Sequence, residues 1–167
     1  PPVFYRNDNG TMNRVDGTIG ITSGARGRSP RWSDMDMDGD LDLMLINAAG
    51  INGGGGVQHI FYENKGDGTF QTKNIPGLET ASGEKLLITD FNNDHIDDIL
   101  ILAPLTAWQG NGDFTFTNVS LQRLPGTVVN THGAVAATDI DIDNDGDLDI
   151  YLSRGVYYFW IAENNSV

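Results

Sequence analysis

Aspartates occupy alternate positions in DMDMDGDLD, residues 34–42, and the pattern returns as DFNNDHIDD at 90–98 and DIDNDGDLD at 141–149. Carboxylates crowded at this spacing repel one another and destabilise a compact loop. They become tolerable when a cation sits among them. Oxygen ligands at positions 1, 3, 5 and 9 of a tight loop converge on one hard ion because the intervening side chains point away, and position 7 offers its backbone carbonyl. In the first loop Asp34, Asp36, Asp38 and Asp42 are the expected carboxylate ligands and Asp40 the carbonyl ligand. The middle loop would use Asp90, Asn92, Asp94 and Asp98 with the carbonyl of Ile96; the last would use Asp141, Asp143, Asp145 and Asp149 with the carbonyl of Asp147. Five or more protein oxygens in a flexible loop suit Ca²⁺, whereas Mg²⁺ keeps its waters and demands an octahedron. One Ca²⁺ per loop, about three in all, is the expected metal content.

The middle loop departs from its siblings in two ways. His95 stands where Gly39 and Gly146 turn the chain, and a positive φ there strains any residue with a Cβ, though His tolerates it better than most. Asn92 removes one negative charge. A weaker site is expected.

The acidic cores begin at Asp34, Asp90 and Asp141, so the chain repeats at intervals of 56 and 51 residues, longer than ankyrin or TPR units and near the length of a four-stranded propeller blade. A second signature recurs in phase. HIFYENKGDGTFQT and AWQGNGDFTFTNVS each place an aromatic strand, an Asn/Gly/Asp turn and another strand after the core, and VFYRNDNGTM near the start resembles the same hairpin. The apolar runs are short, rich in Ile, Leu, Val and aromatics, and bounded by Gly, Asn, Asp and Pro, which predicts an all-β fold of four-stranded antiparallel units. The expected division is the end of a preceding blade at 1–27, a blade with the first loop at 28–80, a second at 81–130, and an incomplete third at 131–167. About three blades fall short of the four to eight of a closed propeller. The expectation is therefore a segment of a larger propeller, completed by the same chain or by other copies.

An EF-hand would need a bidentate Glu at position twelve, where these loops carry Leu45, Ile101 and Leu152, and would need helices where strands are predicted. The combination of DMDMDGDLDLMLI and DIDNDGDLDIYL with aromatic-N-G-D-G-T-F hairpins resembles the FG-GAP/VCBS repeats of integrin-type β-propellers, fungal lectins and many secreted bacterial proteins. In that family the ninth-position Asp closes the calcium cage. The resemblance implies an extracellular or cell-surface module that adheres to proteins or carbohydrates, or that scaffolds. A carbohydrate-binding lectin, or an accessory propeller of a larger secreted enzyme, is the alternative.

Composition narrows the classes further. Fifteen of the 23 acidic residues lie in or beside the three loops, and the formal charge is −13; three divalent ions would bring it to about −7. So acidic a chain lacks the Lys/Arg clusters that nucleic acid requires. No apolar run is long enough to span a membrane, and without cysteine there are neither disulfides nor thiolate metal sites. His59, His95 and His132 have no clustered companions that would suit a transition metal. No G-x-S-x-G elbow presents a nucleophile, and the acidic residues have the spacing of ligands, so a self-contained enzyme is not expected. The residual candidates are the 47–58 segment NAAGINGGGGVQ as a loop, Arg26, Arg28 and Arg31 for an anionic partner, and Trp32, Trp108, Trp160, Tyr62 and Tyr158, which belong either to packing between blades or to a sugar platform.

Overall fold

The structure, a computed structural model, describes residues 3–21, 27–47, 59–81, 83, 85–102, 105–124 and 134–154. The interior of the glycine-rich segment, Arg26, His132, Tyr158, Trp160 and the apolar stretch VYYFWIAE lie outside the described residues.

Among the described residues the protein is all-β apart from one helical turn, α1 (Ser120–Arg123). β1 (Tyr5–Asp8) and β2 (Thr11–Arg14) form a hairpin. β3 (Gly27–Ser33), β4 (Asp42–Asn47), β5 (Ile60–Asn64) and β6 (Phe70–Lys73) make an antiparallel four-stranded sheet in chain order. β7 (Lys85–Thr89), β8 (Asp98–Leu102), β9 (Thr106–Gly110) and β10 (Phe116–Asn118) make a second with the same order. β11 (Ala134–Ile140) pairs with β12 (Asp149–Arg154). The sheets are not closed into a ring or barrel.

The second strands carry the stacking. Side chains alternate across a strand, and in β4 Leu43 and Leu45 face one apolar cluster while Met44 and Ile46 face another. β8 repeats this: Ile99 and Ile101 meet Met44 and Ile46, and Leu100 and Leu102 turn towards Ile150 and Leu152 of β12. Both faces of β4 and β8 are therefore buried, which is why DLMLIN and DILIL read as unbroken apolar runs and not as alternating ones. Each such side chain withdrawn from water contributes about 1.5–3 kcal/mol. The two four-stranded sheets and the pair β11–β12 lie face to face in chain order, with β7 contacting β3 on one side and β11 on the other, and Phe4 and Val15, which flank the β1–β2 hairpin, pack on the cluster that Leu43 and Leu45 line.

Aromatic residues fill these interfaces. Phe61, Tyr62 and Trp108 are buried, so Trp108 is packing and presents no face to a sugar. Trp32 is 41% exposed but sits about one ring's breadth from its neighbours, with centroids 5.9 Å from Phe4 and 6.0 Å from Phe70. The third- and fourth-strand turns repeat as well. Asp67 Oδ1 accepts the Thr69 backbone N–H at 2.9 Å and Asp113 Oδ1 accepts that of Thr115 at 3.1 Å, each closing an Asx turn.

Candidate metal centre

Each acidic loop joins the first strand of a sheet to the second, and its ninth aspartate opens that second strand: Asp42 pairs with Ser33, Asp98 with Thr89, and Asp149 with Ile140. Register thus sets the loop length, and side-chain hydrogen bonds set its shape. The first aspartate caps the turn. Asp34 accepts the N–H groups of Asp38 and Gly39 at 3.1 and 3.0 Å, Asp90 those of Asp94 and His95 at 3.1 and 2.8 Å, and Asp141 those of Asp145 and Gly146, both at 3.1 Å. The fifth residue follows. Asp38, Asp94 and Asp145 each accept the N–H of position seven at 2.9 Å. That bond turns the position-seven side chain aside; Asp40 leans towards the next hairpin, its Oδ2 lying 2.8 Å from where a Cβ on Gly66 would stand.

The ninth aspartate ties the loop to the rest of its sheet. Asp42 accepts the Met35 N–H at 2.9 Å and the Asn64 N–H at 2.8 Å. Asp98 accepts those of Phe91 at 3.2 Å and Gly110 at 2.8 Å. Both residues are fully buried. In the metal-free chain burial pushes each carboxyl up to about 6, a rise that the two backbone donors only partly offset and the neighbouring loop aspartates reinforce. Asp149 accepts the Ile142 N–H at 3.1 Å and is exposed; the counterpart of Asn64 and Gly110 falls outside the described residues.

Two groups of three carboxylates are brought together among the described residues: Asp34, Asp36 and Asp42, and Asp141, Asp143 and Asp145, with one oxygen of each within 4.8 Å of the others. At that separation each pair of charges repels by roughly 3 kcal/mol for an effective dielectric constant near 20. Asp36 Oδ1 is buried and accepts no hydrogen bond, and burial followed by repulsion from Asp38 raises the affinity of Asp36 for a proton. No described Lys or Arg forms an ion pair with Asp34, Asp36 or Asp42; Lys65, the nearest influence, is bonded to Glu63 at 2.9 Å.

The middle loop is not among these groups. Asn92 Nδ2 donates to Asp94 Oδ2 at 2.8 Å and Gln109 Nε2 reaches the same oxygen at 3.5 Å, so neutral amides satisfy the second oxygen of this carboxylate. His95 does adopt a positive φ, +68°. The fourth residue of every loop does so too: Met37, Asn93 and Asn144 lie at +60°, +63° and +61°. A left-handed residue with a Cβ costs about 1–2 kcal/mol. Replacing His95 by Gly is therefore expected to stabilise the protein by about 1 kcal/mol after the entropy cost of glycine, visible as a rise of about 2–4 °C in melting temperature. The reverse change, Gly39→Ala at φ +94°, is expected to lower it by a similar amount.

Reasoning from sequence found the ligand-type residues but missed their backbone supports, Asn64 and Gly110, and the amide competitor Gln109. The N-K-G at Asn64–Gly66 and the G-N-G at Gly110–Gly112, which open the two third-to-fourth-strand turns, were the available signal for the first two. No described helix is long and apolar enough to cross a membrane. No family model matches the chain, and no curated protein matches it.

Proposed function

We propose that the protein is a calcium-stapled run of β-propeller blades of the FG-GAP/VCBS type, working outside the cell as a binding, adhesion or scaffolding module. The observation that carries the metal reading is the buried, unpartnered oxygen of Asp36 inside a triangle of carboxylates with no cationic side chain among them. A divalent cation supplies what that oxygen lacks. Asp34, Asp36, Asp38 and Asp42 with the Asp40 carbonyl would hold it in the first loop, and Asp141, Asp143, Asp145 and Asp149 with the Asp147 carbonyl in the third. Asp90, Asn92, Asp94, Asp98 and the Ile96 carbonyl would hold a weaker ion, since Asn92 must turn its oxygen inward and release Asp94. The ion's role is structural: it fixes the connection between the first two strands of each sheet. The propeller reading is supported by the repeated strand order and by the face-to-face succession of sheets with their first strands adjacent.

The test is a calorimetric titration of chelator-treated protein with Ca²⁺ and, separately, with Mg²⁺. Two to three Ca²⁺ per chain, with Mg²⁺ binding far more weakly, is the expected result; the absence of saturable Ca²⁺ binding at millimolar concentration would overturn the proposal. Binding of a protein or carbohydrate ligand would fall to loops at one end of the sheets, and the burial of Trp108 removes one aromatic candidate for a sugar platform.

A further inference from the structure

We infer that the first and second acidic loops bind their ions cooperatively, through a hydrogen-bonded relay that runs from one ninth-position aspartate to the other across the interface between the two four-stranded sheets. The inference rests on the metal reading above and adds a regulation to it.

The relay can be followed atom by atom. Asp42 Oδ2 accepts the N–H of Met35 at 2.9 Å, and the carbonyl of Met35 accepts the N–H of Phe114 at 3.0 Å. Phe114 belongs to the β9–β10 turn of the neighbouring sheet, held at φ +65°. That turn begins at Gly110, whose N–H donates to Asp98 Oδ1 at 2.8 Å. Gly112, in the same turn, separates the two loops: a Cβ there would stand 2.9 Å from Met37 Sδ of the first loop and 3.3 Å from Ile96 Cδ1 of the second. A second tie runs in parallel, Ser33 Oγ donating to Asp97 Oδ2 at 2.7 Å, between the residue before the first loop and position eight of the second.

The sign of the coupling follows from what each ion must order. An ion in the first loop fixes Met35 to Met37, which in turn fixes the β9–β10 turn and the Gly110 donor that aims Asp98. The second loop then has less freedom to lose when it binds, so its affinity rises. Direct repulsion between the two ions works against this, but it is a long-range charge effect that salt screens, whereas hydrogen bonds and packing contacts are not screened in the same way. Linkage requires the effect to be reciprocal.

The experiment is a Ca²⁺ titration of the full chain followed by ¹H–¹⁵N NMR. Gly39, His95 and Gly146 each donate their amide to the first aspartate of their own loop, so their resonances report the three sites separately. In Asp36→Asn the Gly39 signal is expected to stop responding and the midpoint for His95 to rise by about fivefold or more. In Asp94→Asn the midpoint for Gly39 is expected to rise by at most that factor, because the stronger first site fills while the second is still largely empty, and one coupling constant should fit both sets of titrations. Both ratios should persist in 1 M KCl, where the screening length is about 3 Å. An unchanged midpoint for His95 in Asp36→Asn, titrations that no single coupling constant fits, or a coupling abolished by salt would each overturn the relay while leaving the metal sites standing. Resonances that ignore Ca²⁺ at all three loops of the unmodified protein would overturn both.

Discussion

Chelation of divalent ions is expected to lower the melting temperature by roughly 10–20 °C, and excess Ca²⁺ to restore it. An ion that binds only the folded chain stabilises it by about 2.7 kcal/mol per site at a hundredfold excess over its Kd, so two filled sites contribute roughly 5 kcal/mol. For a chain of this size each kcal/mol moves the midpoint by about 2–4 °C. The structure explains why so much depends on the loops. Asp34, Asp36 and Asp42 have one oxygen each within 4.8 Å of the others, and Asp42 also anchors the end of β5 through Asn64. Repulsion that opens the loop therefore loosens the first three strands of the sheet together. Monovalent salt screens this repulsion without bridging the carboxylates, and is expected to recover only a small part of the loss. Scanning calorimetry in EDTA, in EDTA with 1 M KCl, and after addition of Ca²⁺ separates these contributions; equal midpoints in all three would refute the structural role of the ion.

What could be read from the sequence was the repeat and the crowding of carboxylates in its loops, because both are written in local spacing. Alternating aspartates and the glycine at position six each answer to a neighbour a few residues away, and the unbroken apolar runs of β4 and β8 announce burial of both faces without saying against what. The unit of four strands followed from the same spacing, since turn residues at Asn64 to Gly68 and Gly110 to Asp113 punctuate it. The features that escaped are those whose partner is distant in sequence. The Ser33 to Asp97 bond spans 64 residues and the Thr89 to Asp139 bond spans 50, and no pattern in either segment announces them. The depth of Asp42 and Asp98 escaped for a different reason: an aspartate in an acidic loop reads as solvated, and only the third strand arriving over it makes it fully buried. Position four went unnoticed because Met37 is an unfavourable residue for a left-handed turn, and the loop imposes the conformation through the Asp34 and Asp38 bonds on either side.

Those two buried carboxylates give the protein an unusual dependence on pH. In the metal-free chain Asp42 and Asp98 titrate near 6, against 3.8 for an unperturbed aspartate. A folded pKa above the unfolded one means that the folded state favours the proton, so the stabilising contribution is complete below the unfolded pKa and is lost as pH rises through about 6. Between pH 4.5 and 7 each group accounts for about 1–2 kcal/mol. The salt-bridged and hydrogen-bonded acids whose affinity for protons is lowered, Asp8, Asp16, Glu63 and Asp67, act with the opposite sign, but only as pH falls below their ordinary range. Buried His59, held neutral by desolvation, opposes the aspartates within the window. Comparing the unmodified protein with Asp98→Asn, which shares His59, removes that contribution. In EDTA the unmodified protein is expected to gain about 1–2 kcal/mol more than Asp98→Asn on going from pH 7 to pH 4.5. With saturating Ca²⁺ this gain disappears, because each ion requires the ninth aspartate of its own loop ionised and must expel its proton, so the affinity falls as pH drops through 6 and offsets the gain. Melting curves against pH with and without the ion should converge on the acid side and separate towards neutrality; parallel curves would show that these carboxylates do not meet the metal.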